Sequence, residues 1–572
     1  MKLRTNVVCF VGLAMLLIAA CAPGGQGPGQ EAGQGAVPAP KTLTLGIVTD
    51  AEPKEAGIVY GGGAGGSEPK FIFHAGLTAF DDQATLQPRV AERIPTVENG
   101  DWKVLADGRM EVTWKLRRDV VWHDGTRVTP QDFMLGFKLG TDQSIPFTRG
   151  GAIVRQIAEL SAPDDQTLVM TWKNVYVFAN RIGLEVLPPL HAQLAPLYEL
   201  SDPAALAANS AWAEQWIGLG PYRMREWVRG SHIEADAFDQ YFLGKPKIDR
   251  LIIRYVGDTN AILVQIKAGE LGVVPVGSLK ESEAEILTTE LQAAGAGAVI
   301  LSNNKLRHGF SNFRDPSALW VPDARVRLAV TKFVDRQGIV DTVLNGLSAV
   351  DDIMLPREDP AYRLAQQRGL PNLSLDPNAA HRLLGEAGFT RGPDGLYRSP
   401  DGRPFALQLT VTGDIQTNVT QLLVIEDNWK RAGLQPTLNI IPPSAGSTGK
   451  DEGYSNTPGV VFTSSDLSYA SFDGSITKEI STQQRGWRGA NPGAYSDPVY
   501  DALYDRLLST VRSSERDEIA ADMVKYLLDR GLYIPIAYSS DVSAVRTGVR
   551  GVTGVLPAQR VTSWNIHLWD IG

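Results

Sequence analysis

Polar and apolar residues alternate through 221–228, break at Arg229-Gly230 and alternate back through 231–238, which predicts a β-hairpin. After Gly244-Lys245-Pro246, the β-branched run 251–256 predicts a buried strand. Asp258 can cap a helix over 259–268 ended by Gly269, and 270–274 is apolar enough for the next strand. Strand, helix and strand in this order imply a parallel pair with a right-handed crossover. Upstream, 41–48 and 109–116 alternate and predict strands, as does the short run 120–123 before the Asp124-Gly125 turn. Thr129, Pro130 and Asp132 read as N-cap, first and third residues of a helix. Downstream, Asp323 can cap a helix over 324–334, and Asp376-Pro377 starts another that Gly388 stops. Residues 405–411 predict a strand and 421–432 a helix ended by Gly433. The Pro/Gly/Ser-rich stretch 441–458 reads as loop, and 459–469 as a short buried strand running into polar residues.

A different pattern opens the chain. Lys2 and Arg4 precede an apolar run, 7–20, of the length of a signal-peptide core and short for a membrane span. Ile18-Ala19-Ala20-Cys21 matches the bacterial lipobox, which makes 1–20 a signal peptide and Cys21 the lipidated N-terminus. The alternative is a plain secretory signal with an incidental cysteine. Residues 21–40 are rich in Gly, Pro and Gln, with too little apolar surface to fold around, and read as a flexible tether.

Composition narrows the function classes. The 572 residues allow about three or four domain-sized units. A net charge of -9, with no basic segment, argues against nucleic acid as a partner. Both cysteines, Cys9 and Cys21, precede the folded part, which therefore holds no disulfide, thiol nucleophile or zinc–thiolate site. There is no G-x-S-x-G and no H-E-x-x-H, so nothing points to a hydrolase, and no enzyme activity is expected. The histidines are isolated, and His123-Asp124 reads as turn chemistry rather than a metal pair. No metal and no cofactor are expected. Gly61, Gly63 and Gly66 satisfy G-x-G-x-x-G with Asp81 about twenty residues on, but Pro53 and Pro69 interrupt the strand–turn–helix context that a dinucleotide site needs. The glycines then mark a loop whose backbone can approach a ligand, or a plain surface loop.

Several strings carry a family resemblance. They are GLGPY…GKPKID…AGEL within 218–271, WKLRRDVVWHDGTRVTPQDF (114–133), the Asp323-to-Gly346 block, LDPNAAHRLLGEAGF (375–389) and NPGAYSDPVYDALYDRLL (491–508). In this order they resemble the bacterial extracellular solute-binding proteins of family 5, which include the oligopeptide-, dipeptide- and nickel-binding proteins of ABC importers. The resemblance implies an α/β, two-lobed periplasmic-binding-protein fold (type II, cluster C-like) with an extra inserted subdomain. Lobe I would comprise 41–80, 213–275 and 536–572, with 81–212 inserted, and lobe II 276–535. Crossings near Val276 and Pro535 would make the hinge. It further implies a monomer outside the cytoplasmic membrane, anchored at Cys21, that hands a solute to a permease driven by ATPase subunits. A peptide is the expected solute; a nickel complex, an opine, an oligosaccharide or a role as surface sensor are the alternatives. Candidate ligand contacts are Tyr60 and Gly63 from one side, Asp466, Tyr469 and Trp487 from the other, and Tyr538 at the hinge. Asp466 matches an acidic position that pairs with the α-ammonium in peptide-binding members, although Thr463 stands where they carry tryptophan.

Overall fold

The computed structural model describes residues 39–48, 52, 67–142, 153–200, 202–413, 415–557 and 559–572. The expected signal peptide, Cys21, the tether as far as 38, Tyr60, Gly63 and the glycines at 61–66 lie outside these residues.

Ten strands make one sheet: β1 (Thr42–Val48), β2 (Tyr222–Val228), β3 (His232–Ala237), β4 (Arg250–Val256), β5 (Val273–Leu279), β6 (Gly297–Ser311), β7 (Ala406–Thr412), β8 (Gln435–Ile441), β9 (Gly459–Asp466) and β10 (Tyr533–Arg546). Their order is β8-β7-β9-β6-β10-β5-β1-β4-β3-β2. The two central strands, of 15 and 14 residues, pair antiparallel along their whole length. At roughly 3.3 Å per residue each spans about 45 Å, long enough to serve two cores. The last residues of β10, Val542–Val545, pair with β5 on one side of the sheet, whereas β6 from Lys305 to Ser311 pairs with β9 on the other. The β6–β10 register slips between Asn303 and Lys305, where the outer neighbours change, and again beside Pro535. Proline cannot donate to the ladder, so a slip is where it is tolerated.

Each half has its own core. Leu45, Tyr222, Ile233, Ile253 and Trp569 are buried together in the first half. Phe405, Leu409, Ile425, Trp429 and Phe462 are buried in the second. The helix Glu281–Ala293 packs Ala284, Leu287 and Leu291 against Val274, Leu279, Val542 and Ala544 of the first half, and β6 is the strand that runs from that core into the second. A separate antiparallel sheet, formed by Trp102–Val104, Met110–Lys115, Thr167–Trp172 and Ile157–Ser161, closes over Trp114, Phe133 and Trp172. Its helix Pro130–Thr141 begins with the expected capping box, Asp132 accepting from the Thr129 N–H at 2.7 Å.

The hairpin, the Asp258 cap and left-handed Gly269 (φ 82°) fall where the pattern puts them. Three expectations need correction. β4 and β5 are parallel, but β1 lies between them, and β5 starts at Val273 because Glu270 and Leu271 close the helix by bonding back to Gln265. Residues 120–123 form no strand, only the bridge Val121–Arg127, since Trp122 N–H closes a turn on Thr126 and His123 N–H donates to Gly218. Within 441–458, Gly446–Ser455 is a helix, held by burial of Tyr454 against Ile441 and Val461. The glycines of the GLGPY string are explained by contact. A Cβ on Gly218 would lie 1.9 Å from the Phe73 carbonyl oxygen, and one on Gly220 2.3 Å from that of Ile72.

Candidate functional site

The register slip at the middle of β6 and β10 floors a cleft. Leu301, Ser302 and Asn303 of β6 and Tyr538 of β10 line a cavity of about 260 Å³. Its walls are Arg357, Glu358 and Leu467 from the second half, and Asp82 with residues 554–556 from the first. Ser302 Oγ accepts from Val555 N–H at 2.9 Å, and Ser540 Oγ donates to Asn303 Oδ1 at 2.9 Å, so side chains stitch the floor where the ladder is irregular. Next to the floor, Asn304 Nδ2 and Arg560 Nε both donate to Asp541, at 2.6 and 2.5 Å.

Tyr538 is wholly buried, and its hydroxyl donates to Asp351 Oδ2 at 2.6 Å while accepting from Arg357 Nε at 3.0 Å. Asp351 also accepts from the Tyr362 hydroxyl at 2.7 Å and from the backbone N–H groups of Asp352 and Ile353. Burial, then the adjacent Asp351 charge, push the Tyr538 hydroxyl well above the usual tyrosine range. Burial works against the charge on Arg357, but its bonds to Asp351 and the nearby charges outweigh that and raise its pKa. The guanidinium lies 5.0 Å from the Tyr538 ring centre and is half exposed toward the cavity. This arrangement can hold a polar solute.

A second cavity of about 250 Å³ is lined by Pro557, Gln559, Arg560 and Val561, which follow residues 554–556 of the first in the chain, and by Phe80, two residues before Asp82. Gln559 bonds the Phe80 backbone at both ends, through Oε1 at 2.9 Å and Nε2 at 3.0 Å. Arg181 reaches this cavity among three rings, 4.6 Å from Phe178, 5.6 Å from Phe80 and 5.9 Å from Tyr469.

The expected contacts distribute as follows. Tyr538 lines the first cavity. Asp466 ends β9 beside the cavity residue Leu467; its side chain is 59 % exposed and 3.9 Å from Lys305 Nζ. Tyr469 is buried, its hydroxyl 2.9 Å from both Asp359 and Asp517, and its ring lies beside Phe178 and under the Arg181 guanidinium. Trp487 is elsewhere. It sits at φ 61° on a loop, its ring 5.7 Å from the guanidinium of Arg314, which follows the end of β6, and it lines neither cavity. Asp81 uses its carboxylate to cap a turn through the N–H groups of Gln83 and Thr85. His123 pins the GLG segment, with Nε2 at 3.0 Å from Gly220 O and Nδ1 accepting from Gly218 N–H. Arg181, Arg357 and Asp351 were not singled out by the sequence; Arg357 follows Leu355-Pro356, and the other two stand in unremarkable surroundings, so no local signal selects them. Among the described residues no three His, Cys, Asp or Glu side chains come together as a metal site, and no helix is long and apolar enough to cross a membrane.

Comparison with known proteins agrees with this architecture. The family model for bacterial extracellular solute-binding proteins, family 5, middle region, matches residues 85–478. The oligopeptide-binding protein AppA of Bacillus subtilis is 22 % identical over 452 residues, 78 % of each chain. HbpA2 from Haemophilus parasuis has a TM-score of 0.72 at 17 % identity, covering 93 % of this chain and 100 % of its own. NikZ from Campylobacter jejuni, solved with Ni(L-His), has a TM-score of 0.62 at 21 % identity, covering 92 % and 99 %. The fold is that of the two-lobed periplasmic binding proteins. With the model matching well over half of its length, the chain belongs to the bacterial extracellular solute-binding proteins of family 5.

Proposed function

We propose that this chain is the receptor of an ATP-driven importer and captures a peptide between its two lobes for delivery to the membrane permease. The observation that carries the reading is the cavity on the β6–β10 floor, whose walls come from both halves of the chain. A ligand shifts an open–closed balance only through contacts that differ between the two states, and a cleft lined from both sides supplies them. On this reading the two crossings, expected near Val276 and Pro535, are assigned instead to β6 near Asn303 and β10 near Ser540, a choice supported by the register slip there. Polar walls with several hydrogen-bonding groups suit a peptide, and the relative that matches 78 % of the chain carries the name oligopeptide-binding protein. The protein acts by binding rather than turnover. Mass spectrometry of solute carried through native purification tests the class: short peptides are expected, and a nickel chelate, an opine or a sugar in their place overturns it.

The same reading places the protein outside the cytoplasmic membrane, held by a lipid on Cys21. Cys21→Ser is expected to move the protein from the membrane fraction to the soluble fraction. Membrane association unchanged by the substitution rejects the anchor.

A further inference from the structure

The cavity walls differ in charge in a way that orients a solute. In the second cavity Glu185 is neutralised by Lys70 at 2.8 Å, and Arg560 by Asp541. Arg181 is the cavity-lining cation that, among the described residues, has no carboxylate within ion-pair distance. In the first cavity the balance is reversed. Arg357 is matched by Asp351, while Asp82 and Glu358 face the space with no cation partner among the described residues. One loop lines both cavities, with Leu556 in the first and Gln559, its bridge partner, in the second.

We infer that Arg181 binds a carboxylate of the solute, an inference that rests on the peptide reading above and assigns the peptide's C-terminal end to the second cavity. The three surrounding rings hold the guanidinium in place and displace part of its hydration, and a charge-assisted bond is stronger in such surroundings. The planar fork of arginine matches the two carboxylate oxygens, which a lysine ammonium does not. Apolar walls from Phe71, Leu184, Val186 and Val561 leave room for the last side chain of the peptide. Excess negative charge in the neighbouring cavity disfavours the reverse orientation, which would bring the carboxylate against Asp82 and Glu358.

The test uses the full chain and two random pentapeptide pools, one with free C-termini and one with C-terminal amides. Peptide retained after rapid gel filtration is measured by mass spectrometry. The wild type is expected to retain the acid pool at least tenfold better than the amide pool. Arg181→Ala should abolish that preference and Arg181→Lys should keep part of it. Equal retention of both pools by the wild type overturns the Arg181 assignment and leaves peptide binding standing, and so does a preference that survives in Arg181→Ala. Retention of neither pool overturns the peptide reading itself. The wild-type comparison needs no variant, so it decides the matter even if Arg181→Ala fails to fold.

Discussion

Burial keeps His74, His123 and His308 neutral far below the usual imidazole range, His74 down to about 3 and the other two to about 4. An unfolded histidine takes up its proton near 6.5, so between that value and about 4 the unfolded chain binds more protons than the folded one, and stability falls as pH falls. Asp473 acts in the opposite sense: burial raises its carboxyl to about 6, so the folded chain gains its proton first as pH drops. From pH 7 to pH 5 each histidine lowers stability by about 2 kcal/mol, while Asp473 returns about 1 kcal/mol or less given its partial exposure. The guanidinium chloride midpoint is therefore expected to be lower at pH 5 than at pH 7, and a higher midpoint at pH 5 contradicts the assignment. At this scale the sequence was informative where the chemistry is local. Asp258, Asp323 and Asp376 cap their helices as the pattern requires, each accepting from an N–H two or three residues on. The partners of Tyr538, Asp351 and Arg357, were not legible, because they lie 187 and 181 residues away in the chain and only the fold joins them.

Among the elements, the helix Glu281–Ala293 is tied to the crossing strands by one side chain. Glu281 accepts from Ser540 N–H of β10 at 2.5 Å and pairs with Arg307 of β6, whose side chain is 5 % exposed. Glu281→Ala leaves that guanidinium buried without its carboxylate, which costs about 3 kcal/mol at such sites. Chemical unfolding is expected to show a loss of that order, and Arg307→Met in the same chain to restore much of it. A Glu281→Ala protein as stable as the wild type removes the pair from the account. β6 is among the elements the pattern missed. Its residues are polar through Ser302-Asn303-Asn304-Lys305 because this stretch faces a cleft and lies between two cores rather than inside one. The helix Gly446–Ser455 was read as loop for a related reason: its Gly and Ser residues disfavour helix locally, and tertiary burial of Tyr454 overrides them.

At the scale of the whole molecule, the sheet joins two cores through a single pair of long strands, and the first cavity lies where those cores face each other. Such a joint can bend at β6 and β10 while each half stays packed. Across the cleft the halves already touch, since Arg516 Nη1 donates to Val177 O at 3.1 Å and Phe178 lies between the guanidinium groups of Arg181 and Arg516. These contacts connect the inserted sheet's side of the cleft to the helix Ser513–Asp529, and they would be broken in an opened form. A solute bound between the halves should therefore favour the form in which these contacts are made. Because both cysteines of the chain lie within its first 21 residues, labels can be placed cleanly on a chain beginning after them. Val264 on the helix Thr259–Ala268 and Leu423 on the helix Gln416–Ala432 are exposed, one on each half. Spin labels at Val264→Cys and Leu423→Cys, measured by double electron–electron resonance with and without the free-acid pentapeptide pool, test the central claim. A distance distribution that narrows and shifts when peptide is added is the predicted result, and a distribution left unchanged by peptide that is demonstrably bound contradicts capture between the lobes.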